Sequence, residues 1–495
     1  MKPLTKSRLA DFEQCEKRFW LALHKPELAA PRDAGVFVAG HAVGAVARAN
    51  LPTGRLITEV EPQAAVAQTA QALLAPDRAP IFEAAFLHDG VYVRTDILLP
   101  TAGGWQLAEV KSSSSVKTYQ LSDLATQVWT AGGAGLALTG AVLRLIDTTF
   151  VYGGAGDYRG LFKDVAVDDK LPTLVAGRER LIRAAEGVAV GAEPETAVGA
   201  HCSDPFACPF TDHCRSRLPD APAFPVALLP GKTGKAAAAK LAADGILDLR
   251  DAPRAAFVTA NELRIYDATR SGVAFHDHAA LVAATADWAF PRYFLDFETV
   301  APAIPLWAGT RPYQAIPFQF SCHIQASDGA LEHRGFLDLS GEDPRRACAE
   351  ALLEAAGERG AIITYNLPTE RAAICGLADL FPDMAAQLMA CGARLVDALP
   401  LVRAHYYHPQ MMGSWSIKAV LPAAVPALSY SDLDEVQDGL AAQRAYLEAI
   451  DPATSVQRRQ ALHEQLSAYC RLDTLAMVEL VATLCGGVGA AGAQG

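Results

Sequence analysis

GVYVRTDILLPTAGGWQLAEVK, residues 90–111, reads as two strands joined by a turn. Strand-like runs cover Gly90–Leu99 and Gly104–Val110. Asp96 sits late in the first run, Glu109 near the end of the second, and Lys111 two places beyond it. Residues two apart on a strand share a face, so Glu109 and Lys111 project together while Val110 turns away. Antiparallel pairing would bring Asp96 beside Glu109, a carboxylate pair suited to Mg2+ or Mn2+. Lys111 would then polarise water or neutralise phosphate charge.

Working outward, Ile81–Leu87 reads as a further strand, entered through a turn at His88-Asp89-Gly90. A helix is expected over Leu121–Ala131 and a strand over Ala141–Tyr152. Upstream, a helix from Thr5 or Ser7 carries Leu9, Phe12, Cys15, Phe19 and Leu23 on one side, and another covers Val36–Asn50. This order predicts an α/β unit over residues 1–215. Pro219, Pro222, Pro225 and Pro230 mark a linker over 216–290, with a short helical hairpin near Lys235–Leu249. A second α/β unit is expected over 291–485, with strands at Arg292–Phe297, Pro317–Ile324 and Ala361–Tyr365 and a long helix at Val456–Leu484. Residues 486–495 form a Gly/Ala-rich tail.

A chain of 495 residues calls for two or three domains, and 51% hydrophobic content is ample for their cores. The net charge of −12 argues against a protein that coats nucleic acid non-specifically, but not against clustered catalytic carboxylates. Met1-Lys2-Pro3-Leu4-Thr5-Lys6 leads into a polar helical pattern without the apolar core of a signal peptide. The most apolar stretch, Ala131–Leu143, is Gly-rich and shorter than a membrane span. Ten cysteines then fit a reducing cytoplasm and metal ligation better than disulfides. A cytoplasmic protein with no membrane partner is the expectation.

Four of those cysteines stand out: Cys15 in the first helix, then Cys202, Cys208 and Cys214 in a loop rich in Pro, Asp and His. Four thiolates fit either a [4Fe–4S] cluster or tetrahedral Zn2+. The C-terminal half carries its own acids. Tyr293-Phe294-Leu295-Asp296-Phe297-Glu298-Thr299 is an apolar strand whose Asp296 and Glu298 share a face, a seat for a divalent ion. Glu370 opens a helix after Asn366, and Tyr469 and Asp473 stack four apart on the last helix. Asp397 is expected to start a helix instead of joining them. Gln319, Asn366 and Lys418 are read as substrate contacts, Lys418 through the Ser414-Trp415-Ser416-Ile417-Lys418 helix start.

The order Gly40-His41, Glu83, Asp96, Glu109-x-Lys111 and Gln127 resembles the RecB-like branch of the PD-(D/E)xK nucleases, over residues 5–215. The four cysteines resemble the iron–sulfur version of that branch, with one cysteine before the nuclease core and three after it. The resemblance implies a restriction-endonuclease-like fold, with His41, Asp96 and Glu109 as metal ligands and Lys111 as catalytic lysine. It further implies Gln127 against substrate or lysine, and an iron–sulfur cluster in preference to zinc. Two positions depart from the pattern: Ala131 stands where a Tyr is frequent, and the trio is spaced Cys-x5-Cys-x5-Cys. Residues 291–480 resemble the ribonuclease H-like 3′–5′ exonucleases of the DEDD type with a Tyr-x3-Asp last motif. That implies a mixed-sheet fold, Asp296, Glu298 and Asp473 on metal, Tyr469 on the attacking water and Glu370 in place of the usual second-motif Asp. With both modules in this order the chain resembles a bacterial family of unknown function that includes predicted nucleases. The expected function is a Mg2+- or Mn2+-dependent nuclease, exonucleolytic, acting on DNA in preference to RNA. The alternatives are a non-catalytic nucleic-acid-binding or scaffold protein with decayed sites, and a zinc-stabilised interaction protein.

Overall fold

The computed structural model describes residues 3–31, 34–218, 221–428, 430, 433 and 435–486, and of residues 34–39 the backbone alone. The chain divides into two compact units: Met1–Pro219 with Pro302–Tyr313, and Asp220–Ala301 with Gln314–Gly495. Each sets helices on a mixed sheet, so the class is mixed α/β. No helix among the described residues is long and apolar enough to cross a membrane.

The first unit holds strands β1 (Leu4–Thr5), β2 (Arg55–Leu56), β3 (Ile81–His88), β4 (Val91–Thr101), β5 (Gly104–Lys111), β6 (Leu138–Ile146) and β7 (Phe162–Ala166). The sheet runs β2-β3-β4-β5-β6-β7. Strands β3, β4 and β5 form an antiparallel meander. The first turn is Asp89-Gly90, with φ +44° and +75°, the left-handed pair that suits a tight hairpin. The helix Thr118–Gly133 then carries the chain over to β6, parallel to β5. Its Leu124, Ala125 and Ala131 join Val91, Val93, Leu98, Leu107 and Leu143 in the main core. Ala47 of the helix Ala34–Ala49 packs with Phe82, Ile97, Ala108 and Val142 in a second cluster. Burying each larger aliphatic side chain contributes about 1.5–3 kcal/mol. Strand β1 pairs with the start of β4, Leu4 opposite Val91, along the edge that β5 takes over from Ile97 onward.

Two expectations change here. The single helix from Thr5 is two helices, Lys6–Gln14 and Glu16–His24. Cys15 between them is extended (φ −167°, ψ 120°), and its sulfur accepts the Arg18 amide as the cap of the second helix. The strand expected to reach Tyr152 stops at Ile146, because the Asp147 carboxylate takes the Thr149 amide at 2.9 Å and turns the chain.

In the second unit the main sheet is β11-β10-β9-β12-β13. Its strands are β9 (Arg292–Val300), β10 (Ile316–Gln325), β11 (Leu331–Leu337), β12 (Ile362–Thr364) and β13 (Leu395–Asp397). Short strands β8 (Phe275–His276) and β14 (Tyr406–Tyr407) pair separately. β9 and β10 are antiparallel; β12 is parallel to β9 and β13. The chain passes close at Gly360 (φ +94°), where a Cβ would stand 2.0 Å from the Pro291 carbonyl oxygen. One face of β9, with Tyr293, Leu295 and Phe297, is packed with Leu352, Ile374 and Leu388. The helix Val456–Cys485 is associated with the other face: Phe294 shares a cluster with Met477 and Val478, and Gln319 donates to the Leu466 carbonyl at 2.9 Å. That helix buries Leu462, Leu466, Tyr469, Cys470, Asp473, Thr474 and Met477, a stripe at helical period.

The stretch expected as a linker, 216–290, carries the helices Gly231–Ala243, Ala260–Ser271 and His278–Thr285. Its Val226, Leu229, Leu241, Leu249 and Ile265 share a core with Tyr407, Trp415 and Leu480. The prolines punctuate the start of this segment, while its apolar residues fold into the second unit. Between β9 and β10 the segment Pro302–Tyr313 belongs instead to the first unit, where Ala303 and Ile304 cover Val43, Ile146 and Leu161. All but the first residue of the tail 486–495 lies outside the described residues.

Candidate functional site

Strand β9 delivers Asp296 and Glu298 to one face, and the last helix delivers Asp473 to the same place. Their ligand oxygens all lie within 4.8 Å of one another, the one set of three or more His, Cys, Asp or Glu side chains among the described residues that closes so tightly. A bulge helps to shape it: the ladder between β9 and β10 shifts between Pro317 and Gln319, opposite Glu298 and Thr299. Glu298 and Asp473 are buried and Asp296 is half-buried.

Such crowding has an electrostatic consequence. Burial, and then the Asp473 charge, push the Asp296 carboxyl well above its ordinary range. The same two causes raise Glu298 to about 8, and burial raises Asp473. Lys418 is the cation that opposes these shifts on all three acids. Its Nζ donates to the Tyr469 hydroxyl at 3.2 Å and lies over the Tyr430 and Tyr469 rings. Tyr430 donates to Asp473 Oδ1 at 2.5 Å. Burial drives the Tyr469 phenol far up, so it stays protonated.

Glu370 stands outside the tight set. It is buried in the first turn of the helix Pro368–Leu380, one carboxylate oxygen has no hydrogen-bond partner, and burial raises it to about 7. Asp397 is spent on backbone amides of Asn366, Leu367 and Leu399 at 3.0–3.2 Å, and so caps the helix Ala398–His405 as expected of it. Gln319 is buried and tied to the last helix, whereas Asn366 is exposed at φ +92°.

In the first unit, Asp96 and Glu109 stand one step past the last ladder pair, Ile97 with Ala108. Asp96 accepts the Val110 amide at 2.7 Å, and burial together with the Glu109 charge raises its carboxyl to about 7. Glu109 is 1% exposed. Its Oε1 takes Lys6 Nζ at 2.7 Å and Lys111 Nζ at 3.0 Å, and its Oε2 takes Gln127 Nε2 at 2.7 Å. Burial works against the Glu109 charge, but Lys6 and Lys111 outweigh it and hold the carboxyl below its ordinary range. Lys111 also pairs with Asp123 at 2.9 Å. A cavity of about 400 Å³ opens beside the pair, lined by His41, Arg48, Glu83, Asp96 and Lys111. His41, Asp96 and Glu109 do not close to the spacing of the C-terminal triad. Gln127 is fully buried, with its amide nitrogen on the Glu109 carboxylate and its amide oxygen without a hydrogen-bond partner.

Cys15, Cys202, Cys208 and Cys214 line one small cavity together with Leu21 and Phe210. No three of their sulfurs lie within 4.8 Å of one another. Gln14 binds the loop from the helix side, donating to the carbonyls of His201 and Phe206 at 2.7 and 2.6 Å.

Lys6, Asp123, Tyr430 and Gln14 were not legible as site residues. For Lys6 a signal exists: it is the first residue of its helix, where the dipole disfavours a cation unless an acid faces it. Nothing in the pattern around Tyr430 points to Asp473.

Residues 293–416 match a family described as a domain of unknown function, DUF2779. The match includes Asp296, Glu298 and Glu370 and stops short of Lys418, Tyr469 and Asp473. No curated protein and no solved structure matches the chain.

Proposed function

We propose that the protein is a metal-dependent nuclease whose working centre is the acid triad of the second unit. The carrying observation is that Asp296, Glu298 and Asp473 converge to within 4.8 Å with Lys418 as the cation that opposes their raised pKa values. Three crowded carboxylates, two buried and one half-buried, with so little compensation fit a divalent cation, since oxygen ligands of this kind suit Mg2+ or Mn2+. An ion held there would neutralise phosphate oxygens and make bound water more acidic. The residues themselves do the rest. Tyr469, kept protonated by burial and oriented by Lys418, offers its hydroxyl to position the attacking water. The water oxygen bonds to phosphorus as the water gives up a proton to solvent, the ester P–O bond breaks, and the leaving oxygen takes up a proton from solvent. The resemblance of Asp296-x-Glu298, Glu370 and Tyr469-x3-Asp473 to the DEDD exonucleases, with their ribonuclease H-like fold, supports the same reading.

For the first unit a binding role without turnover has an observation behind it, because both oxygens of Glu109 are already engaged. That Cys15, Cys202, Cys208 and Cys214 line one cavity supports a metal clasp between the first helices and the 202–214 loop, and the resemblance to the iron–sulfur nucleases favours a [4Fe–4S] cluster over zinc there. The test is digestion of end-labelled single- and double-stranded DNA and RNA with Mg2+ or Mn2+. Hydrolysis is expected with the intact protein and a loss of at least about 100-fold in Asp296→Asn and Asp473→Asn. Full activity in those variants would refute the assignment.

A further inference from the structure

We infer that Lys6 is a tethered counter-cation that occupies the divalent-ion seat on Glu109, in competition with metal. The inference rests on reading the Asp96–Glu109 pair as a cation site; it does not depend on catalysis by the second unit. The donor set as arranged does not present itself to an ion. A carboxylate oxygen offers two lone-pair directions. Those of Glu109 Oε1 are filled by the ammoniums of Lys6 and Lys111 at 2.7 and 3.0 Å, and Oε2 is held by Gln127 at 2.7 Å. Glu109 does not line the adjoining cavity, although Asp96 and Lys111 do.

Lys111 has a second acid, Asp123, and reaches the cavity wall. Among the described residues Lys6 has no such second pairing: its one ion pair there is with Glu109. The fold puts it there. Pairing of β1 with Val91 and Tyr92 lays the chain along β4 just short of the C-terminal end of β5, whose pairing with β4 runs to Ile97, and the helix starting at Lys6 aims its first side chain into that gap. A cation at the first position of a helix is unfavourable unless an anion repays it. A fixed positive charge touching the ligand oxygen repels a divalent ion and blocks its bond. Lys6 therefore keeps the acid pair neutralised, and metal enters only by displacing it.

The test is Mn2+ binding to the full chain, read by the electron-spin signal of free Mn2+. Asp296→Asn and Asp473→Asn are present throughout, so that the C-terminal triad does not contribute. Lys6→Gln should bind Mn2+ about tenfold more tightly than the protein with Lys6 intact, and Lys6→Arg should restore the weak binding. Equal binding, weaker binding or no binding in Lys6→Gln would overturn the inference. Circular dichroism of each variant separates these outcomes from unfolding. Hydrolysis is not the readout, so a protein that cuts nothing would refute the nuclease reading and leave this result standing.

Discussion

Glu298, Glu370 and Lys6 show how single side chains report on a site. Burial raises Glu298 to about 8 and Glu370 to about 7, above the ordinary 4.5. Between the ordinary value and the raised one, the folded protein keeps protons that the unfolded chain has released. Stability of the metal-free protein must then fall as pH rises through that window. In the presence of a chelator, the unfolding temperature is expected to drop between about pH 5 and about pH 9. Saturating Mn2+ should flatten the drop, and Glu298→Gln should remove part of it. A profile unchanged by Glu298→Gln would contradict the assigned burial. Asp296, Glu298 and Asp473 were legible because the chemistry of a site is written in residue types. Lys6 was missed because its role depends on a partner 103 positions away, brought near by strand pairing alone.

The last helix and strand β9 carry the argument at the next scale. The alternation of Phe294, Asp296 and Glu298 with Leu295 and Phe297 marks a strand with one apolar and one mixed face, and the structure keeps that face assignment. The helix binds the mixed face through a polar knot. Thr474 is fully buried, with its hydroxyl 2.7 Å from Ser321 Oγ and 2.8 Å from His323 Nδ1. Thr474→Val takes the hydroxyl from His323 Nδ1 and leaves Ser321 with His333 alone, and is expected to cost about 1–3 kcal/mol, read by urea denaturation. No change in the midpoint would mean that the knot does not hold the helix. The helix break at Cys15 was not legible, since Leu9, Phe12 and Phe19 keep a helical period across it. The cue was a cap made by sulfur, which the pattern of apolar residues does not encode.

At the scale of the molecule, the sequence showed two α/β units and hid how the chain is shared between them. Residues 302–313 read as part of the second unit because they lie between two of its strands. They belong to the first, where Tyr158 donates to the Pro305 carbonyl at 3.1 Å and Ala303 and Ile304 cover apolar side chains. Residues 1–219 produced alone should therefore unfold at a lower temperature than the same unit in the full chain, and equal midpoints would contradict that packing. The central claim is that the C-terminal triad holds a divalent cation. Its most direct measurement is Mn2+ titration of the full-length protein against the Asp296→Asn, Asp473→Asn double variant, by calorimetry. The account predicts a site in the intact protein that weakens at least about 100-fold in the variant. Identical isotherms for the two proteins would contradict it.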